Sequence, residues 1–109
     1  MLKRMMSSML LLWLALVMVD AGAQEWPTKS IRFVVPFAPG GTSEIVARSV
    51  AQELTKQLGQ TVYVENKPGG AGTIAMQEVA GAAPDGYTII LGHVGTLAVN
   101  PYAMKKHPY

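Results

Sequence analysis

Apolar and polar positions along this chain follow two regimes. From Met9 to Val19 apolar residues run almost unbroken. From Ile31 onward, short β-branched runs alternate with stretches of helical periodicity, and glycine or proline marks each switch. Ile31-Arg32-Phe33-Val34-Val35 predicts a strand, apolar enough at its C-terminal end to be covered on both faces. Val46, Val50, Leu54 and Leu58 recur every four residues with Ala47 and Ala51 beside them, while Arg48, Gln52, Glu53 and Lys56 take the other side. That predicts an amphipathic helix ending at Leu58, with Gly59 as its left-handed C-terminal stop and Thr42 or Ser43 as its N-cap.

Thr61 to Glu65 predicts a second strand, and Thr73 to about Ala83 a second helix carrying Ile74, Val79, Ala80 and Ala83 inward. Pro84-Asp85-Gly86 is a turn signal. Tyr87 to Leu91 predicts a third strand, and Leu97 to Val99 the start of a helix before Asn100-Pro101. Gln24 to Ser30 is a polar lead-in broken by Pro27. The order is β-α-β-α-β with short loops, so the expected fold class is α/β with a parallel sheet and right-handed crossovers.

The first regime is a separate element. Lys3 and Arg4, the apolar run and Ala21-Gly22-Ala23 have the layout of a secretory signal peptide. The apolar run is about half of the ~20 residues a membrane-spanning helix needs, which weighs against an uncleaved anchor. Residues 1–23 are expected to be removed between Ala23 and Gln24, leaving one small domain from residue 24 to 109. Loss of Lys3, Arg4 and Asp20 lowers the formal charge from +2 to +1. The remaining basic residues form no dense run, so nucleic acid is not an expected partner. Cysteine is absent, which leaves neither disulfides nor thiol chemistry, and an exported chain of this kind suits the bacterial periplasm.

Candidate chemistry gathers in loops. Val35 is followed by Pro36-Phe37-Ala38-Pro39-Gly40-Gly41 and then by a helix start with Glu44 in its first turn. A strand, a glycine-rich turn and a helix N-terminus make a place for an anion. The first helical N–H groups lack internal partners, and glycine lets the backbone approach closely. Asn66-Lys67-Pro68-Gly69-Gly70-Ala71-Gly72 repeats the arrangement after the second strand, and Gly92-His93-Val94-Gly95-Thr96 follows the third. In a parallel sheet all three loops lie at the carboxyl ends of the strands, where ligands bind. The expected ligand is a small carboxylate. A tight strand-to-helix turn with no ligand is the alternative for either loop taken singly.

Other chemistries fit poorly. Gly70-Ala71-Gly72-Thr73-Ile74-Ala75 matches G-x-G-x-x-A, yet it follows the second strand and no acidic residue ends the third strand to hold a ribose. No Walker A motif and no metal-ligand spacing occur. Ser43 and Ser49 lie in no nucleophile elbow, and His93 reads as a loop or capping residue before a ligand contact. Glu44 reads as a helix stabiliser before a base, and Phe37 as either a pocket wall or packing under the sheet. No enzyme activity, cofactor or metal is expected.

Four segments carry a family resemblance: residues 31–41, residues 64–72, Pro84-Asp85-Gly86-Tyr87-Thr88 and Asn100-Pro101. Together they resemble the Bug family, the periplasmic solute receptors of tripartite tricarboxylate transporters. The resemblance implies a type II periplasmic-binding fold, in which two α/β lobes close on a ligand and feed membrane transporter subunits. It implies small carboxylates, amino acids or related amides as ligands, held by main-chain groups and bridging waters. Carried over, the binding residues are Phe37, Ala38, Pro39, Gly40, Gly41 and Thr42 in the first loop and Pro68, Gly69, Gly70, Ala71 and Gly72 in the second. Thr96 is the candidate from the third. Glu44 departs from the aspartate usual in the family. Family members are about three times as long, so the chain is expected to hold an incomplete first lobe without the second. The competing expectation is a truncated product, or a fragment needing a partner chain, that binds nothing by itself.

Overall fold

The computed structural model of the chain describes residues 1–17 and 25–109. Helix α1 (Leu2–Val17) covers most of the segment expected to be a signal peptide. Its residues are exposed as far as Leu14. No helix among the described residues is long and apolar enough to cross a membrane. The expected cleavage motif at Ala21 to Ala23, and Gln24 after it, lie outside the described residues.

The remaining elements run in order: β1 (Ile31–Val35), α2 (Thr42–Leu58), β2 (Val62–Asn66), a short 3₁₀ turn (Gly70–Gly72), α3 (Thr73–Ala80), β3 (Thr88–Ile90), a π-helical segment (Gly95–Val99) and α4 (Asn100–Ala103). The three strands form one sheet in the order β2-β1-β3, and both pairings are parallel. Ile31 pairs with Val62 and Val35 with Asn66 on one side of β1, while Arg32 pairs with Thr88 and Val34 with Ile90 on the other. The expected α/β class with a parallel sheet is therefore the observed one.

Strand β1 is central because its residues suit burial on both faces. Ile31, Phe33 and Val35 point to the side covered by α2, where they pack with Ala47, Ala51 and Val62. Phe37, Leu54, Leu58, Val64 and Ile89 close around this cluster. Val34 alternates to the opposite side and is fully buried. Fully burying each of these large side chains contributes about 1.5–3 kcal/mol. On that opposite side, α3 supplies the buried Ala75 and brings Glu78 to Arg32.

Helix α2 is rotated from the expected face. Val46 and Val50 are 47% and 43% exposed, and the buried positions are Ala47 and Ala51. Both stripes share Leu54 and Leu58, so the hydrophobic period alone does not separate them. Alanine wins in the first half because a methyl side chain lets the helix axis settle close to the sheet. Valine there would hold it away. Thr55 then fastens the helix to the next strand, donating to the Ala51 carbonyl at 2.8 Å and accepting from the Val62 amide at 2.9 Å. Gly59 takes the left-handed conformation (φ 71°) and its amide bonds to Thr55, as the sequence predicts.

Other boundaries differ slightly. Helix α3 stops at Ala80 and not near Ala83, because Gly81 follows and the residue before Pro84 is disfavoured in helical geometry. Its Ile74 is 56% exposed, and Ala80 and Ala83 are also exposed, so Ala75 replaces them as the inward residue. Strand β2 sits one residue later than expected. Strand β3 is shorter at both ends, although the Tyr87 carbonyl and the Leu91 amide still bond to β1 at 2.8 and 2.9 Å. The last helical stretch begins earlier, at Gly95, and continues through Pro101. That proline lies at the start of α4 and has no N–H to give the turn before it.

The helix phase is directly testable. Ala47→Leu overpacks the sheet-facing stripe and is expected to lower unfolding free energy by about 1–3 kcal/mol. Val46→Gln on the exposed side is expected to stay within ~0.5 kcal/mol of the parent. Urea denaturation followed by circular dichroism measures both.

Candidate functional site

All three strands point the same way, so the loops after them leave from one edge of the sheet. Two bonds tie loop 1 (residues 36–41) and loop 2 (residues 67–72) each to the end of the strand that precedes the other. The Lys67 amide donates to the Val35 carbonyl at 2.8 Å, and Asn66 Nδ2 donates to the Phe37 carbonyl at 3.1 Å. Loop 3 (residues 91–94) joins through His93, whose ring stacks on Phe37 with centroids 4.5 Å apart and planes 20° from parallel. Gly72 lies where loop 2 meets loop 1 and the π-helical segment that follows loop 3. A Cβ placed there would come within 2.6 Å of Thr96 Cγ2 and 3.3 Å of Pro36 Cβ.

The two glycine loops predicted as binding residues are thus neighbours. Ala38, Pro39, Gly40, Gly41 and Thr42 are exposed, as are Pro68, Gly69, Gly70 and Ala71. Phe37 is half-buried and Gly72 buried. Thr96 is fully buried: its methyl group faces Gly72, its hydroxyl donates to the His93 carbonyl at 3.2 Å, and its amide donates to His93 Nδ1 at 3.2 Å. It braces the rim from inside. His93 does capping and stacking duty, consistent with its sequence reading. Asn66 and Asn100 escaped sequence reasoning; their signal is only that each is an amide placed beside a glycine loop or a proline.

The start of α2 also differs from expectation. The N-cap is Gly41, and neither Thr42 nor Ser43 caps with its side chain. Both lie past the cap, Thr42 being already the first helical residue. The Glu44 carboxylate instead reaches back to accept from the Gly40 amide, and it pairs with Arg48 at 2.7 Å. The Gly40 amide, followed by Arg48, holds the Glu44 carboxyl below the usual carboxylate range. One rim amide is therefore already partnered by an acidic side chain of the chain itself.

A four-residue ionic network steadies loop 2 from the other face of the sheet. Arg32 contacts Glu65 at 3.1 Å and Glu78 at 3.0 Å, and Lys67 at the head of the loop contacts Glu78 at 2.7 Å. Lys67, then Arg32, lower the Glu78 pKa, while the same carboxylates raise that of Arg32. Since Lys67 precedes the loop and Glu78 follows it in α3, their contact closes the loop across its base.

In open parallel α/β sheets, ligands bind outside the carboxyl ends of the strands, which is the edge where these loops gather. Residues 46–109 match the tripartite tricarboxylate transporter family receptor model. The chain belongs to that receptor family. A UPF0065 protein of Bordetella bronchiseptica is 46% identical over 96 residues, which span 88% of this chain and 29% of that protein. Among solved structures, the periplasmic binding protein BugD superposes with a TM-score of 0.73 and 46% identity, covering 77% of this chain and 28% of BugD. MatC of Rhodopseudomonas palustris with bound malate superposes with a TM-score of 0.75 and 44% identity, covering 77% of this chain and 29% of MatC. The chain thus spans less than a third of the length of the relatives it matches.

Two substitutions test the rim. Gly72→Ala combines a positive φ of 89° with contact against Thr96 and Pro36, and is expected to lower stability by about 2 kcal/mol or more. Gly41→Ala, at a φ of −89° with nothing nearer than 4.0 Å, is expected to change it by under ~0.5 kcal/mol. Thermal melting separates them. For Glu78, the folded-state pKa lies below the unfolded one, so its stabilisation is present at neutral pH and is lost as pH falls through the folded value. Glu78→Gln is expected to be less stable than the parent at pH 7. The gap should close as the solution is acidified below the carboxylate range, as read from melting midpoints across pH.

Proposed function

We propose that this chain is the first-lobe part of an exported receptor whose loop rim holds the negative group of a small carboxylate, amino acid or related amide for a tripartite transporter in the membrane. The observation that carries this reading is the meeting of loops 1 and 2 at one sheet edge, with Ala38 to Thr42 and Pro68 to Ala71 exposed there. Family membership and the malate carried by MatC support a carboxylate as the ligand. A helix N-terminus contributes roughly 0.3–1 kcal/mol toward an anion, up to ~2 when partly buried, and hydrogen bonds from rim amides to a charged oxygen add to this. The role assigned is binding and delivery, not catalysis. Phe37 to Thr42 and Pro68 to Gly72 are the contact segments, with Thr96 as the brace behind them.

Export rests on α1, with Lys3 and Arg4 at its start and an apolar body behind them. Residues 1–30 fused to a reporter that is active only outside the cytoplasm are expected to give activity. Mass spectrometry of the released product is expected to show Gln24 at its N-terminus. Activity that stays with the membrane fraction and an intact leader would instead support an anchor.

The exposure of the rim favours a second reading for the chain taken singly, as a lobe without useful affinity of its own. Charge-assisted hydrogen bonds open to water keep little of their strength, and an exposed ion pair is worth only ~0–1 kcal/mol. The 109-residue chain is therefore expected to bind malate with a Kd of about 1 mM or weaker by NMR titration, which corresponds to roughly −4 kcal/mol. A chimera in which residues 25–109 replace the matching segment of MatC is expected to bind malate tightly by calorimetry. A folded chimera that takes no carboxylate would sink the receptor reading.

A further inference from the structure

Loop 2 carries backbone that L-residues avoid. From Gly69 to Gly72 every φ is positive, at 130°, 58°, 55° and 89°, and the Gly72 amide donates to the Gly69 carbonyl at 3.0 Å. Three of the four are glycine, which adopts such angles without steric penalty. Ala71 is the one non-glycine residue with positive φ among the described residues. A side chain there is strained, and such strain persists only where the surroundings hold it.

The hold comes from the helical segment after loop 3. Asn100, 7% exposed at the start of α4, donates from Nδ2 to the Ala71 carbonyl at 3.0 Å. The second hydrogen of the same amide goes to the Tyr109 hydroxyl at 3.3 Å, and that hydroxyl in turn donates to the Thr96 carbonyl at 2.5 Å. Thr96 meets Gly72 through its methyl group. Two donors on one planar amide serve this arrangement. Aspartate offers none when ionised, and a leucine would leave both the Ala71 carbonyl and the Tyr109 hydroxyl without their partner.

We propose, resting on the carboxylate role of the rim stated above, that Asn100 is a positioning residue for ligand binding. By tethering the inward-facing Ala71 carbonyl, it locks the left-handed turn and so sets the direction of the Gly70 and Ala71 amides at the exposed edge. Asn100 acts through loop 2 and does not itself touch the solute.

The test uses the full 109-residue chain with backbone-assigned NMR. In Asn100→Asp, amide exchange at Gly72 and Thr73 is expected to accelerate tenfold or more while Phe33 to Val35 in β1 keep their protection. Malate affinity, followed by shifts in loop 2, is expected to fall at least fivefold. Unchanged exchange at Gly72 and Thr73 overturns the proposal, and so does faster exchange with undiminished malate affinity. If the unsubstituted chain shows no malate-dependent shifts, the affinity comparison moves to the folded MatC chimera, whose failure to take malate sinks the carboxylate reading, and the exchange comparison alone then decides whether Asn100 holds the turn. Should the variant lose protection in β1 as well, the side-chain amide of Asn100 in the unsubstituted chain decides. Slow exchange there supports the tether, and exchange as fast as a free carboxamide overturns it.

Discussion

Parallel pairing of β1 on both of its edges is the constraint on which the remaining structure depends. With β2 and β3 running the same way, every strand delivers its following loop to one edge. An antiparallel partner would have sent a loop to the opposite end and left the first glycine turn alone. Parallel pairing also requires the chain to cross back each time. The helices that do so bury both faces of β1, which explains why that strand is apolar on both sides apart from Arg32. The same five residues thus supply the core and aim the rim.

Small residues decide how closely these parts approach. Ala47 and Ala51 seat α2 on the sheet, and Gly72 brings loop 2 against Pro36 and Thr96 with no room for another carbon. On the proposed function, the contact groups this leaves at the rim are largely main-chain amides. Amides recognise a negative oxygen without regard to the rest of the solute. On the proposed function, this edge supplies a generic anion hold, and discrimination among solutes falls to groups elsewhere on the ligand.

Charges reinforce this geometry more than they advertise a partner. Arg32, Glu65, Lys67 and Glu78 join β1, β2, loop 2 and α3 in one network, so a strand residue and a helix residue both restrain the loop. Glu44 is the exception that bears on binding, because its carboxylate already takes the Gly40 amide. On the proposed function, an incoming carboxylate would meet an edge whose first loop is partly satisfied from within. Loop 2, held by Asn100 and by Lys67, has no such internal carboxylate at its glycines among the described contacts.

The succession of strand, glycine turn and helix was legible in the chain itself, since β-branched runs, a four-residue apolar period and glycine or proline breaks are local properties. So was the shared edge of the loops, because a β-α-β order admits little else. Whether a stripe of valines or of alanines turns inward on α2 was not legible. The two differ by one residue in phase, and only the distance to the sheet chooses between them. Nor was the absence of a side-chain cap at Thr42 or Ser43 readable, because a glutamate one turn away competes for the same end. Asn100 and Tyr109 stand far from loop 2 in sequence, and a hydrogen bond spanning 29 residues leaves no local trace. Local chemistry determined the elements and the end of the sheet that carries the loops. Tertiary packing decided helix phase, which amides remain open and what holds them, because those depend on distances between segments that no period along the chain encodes.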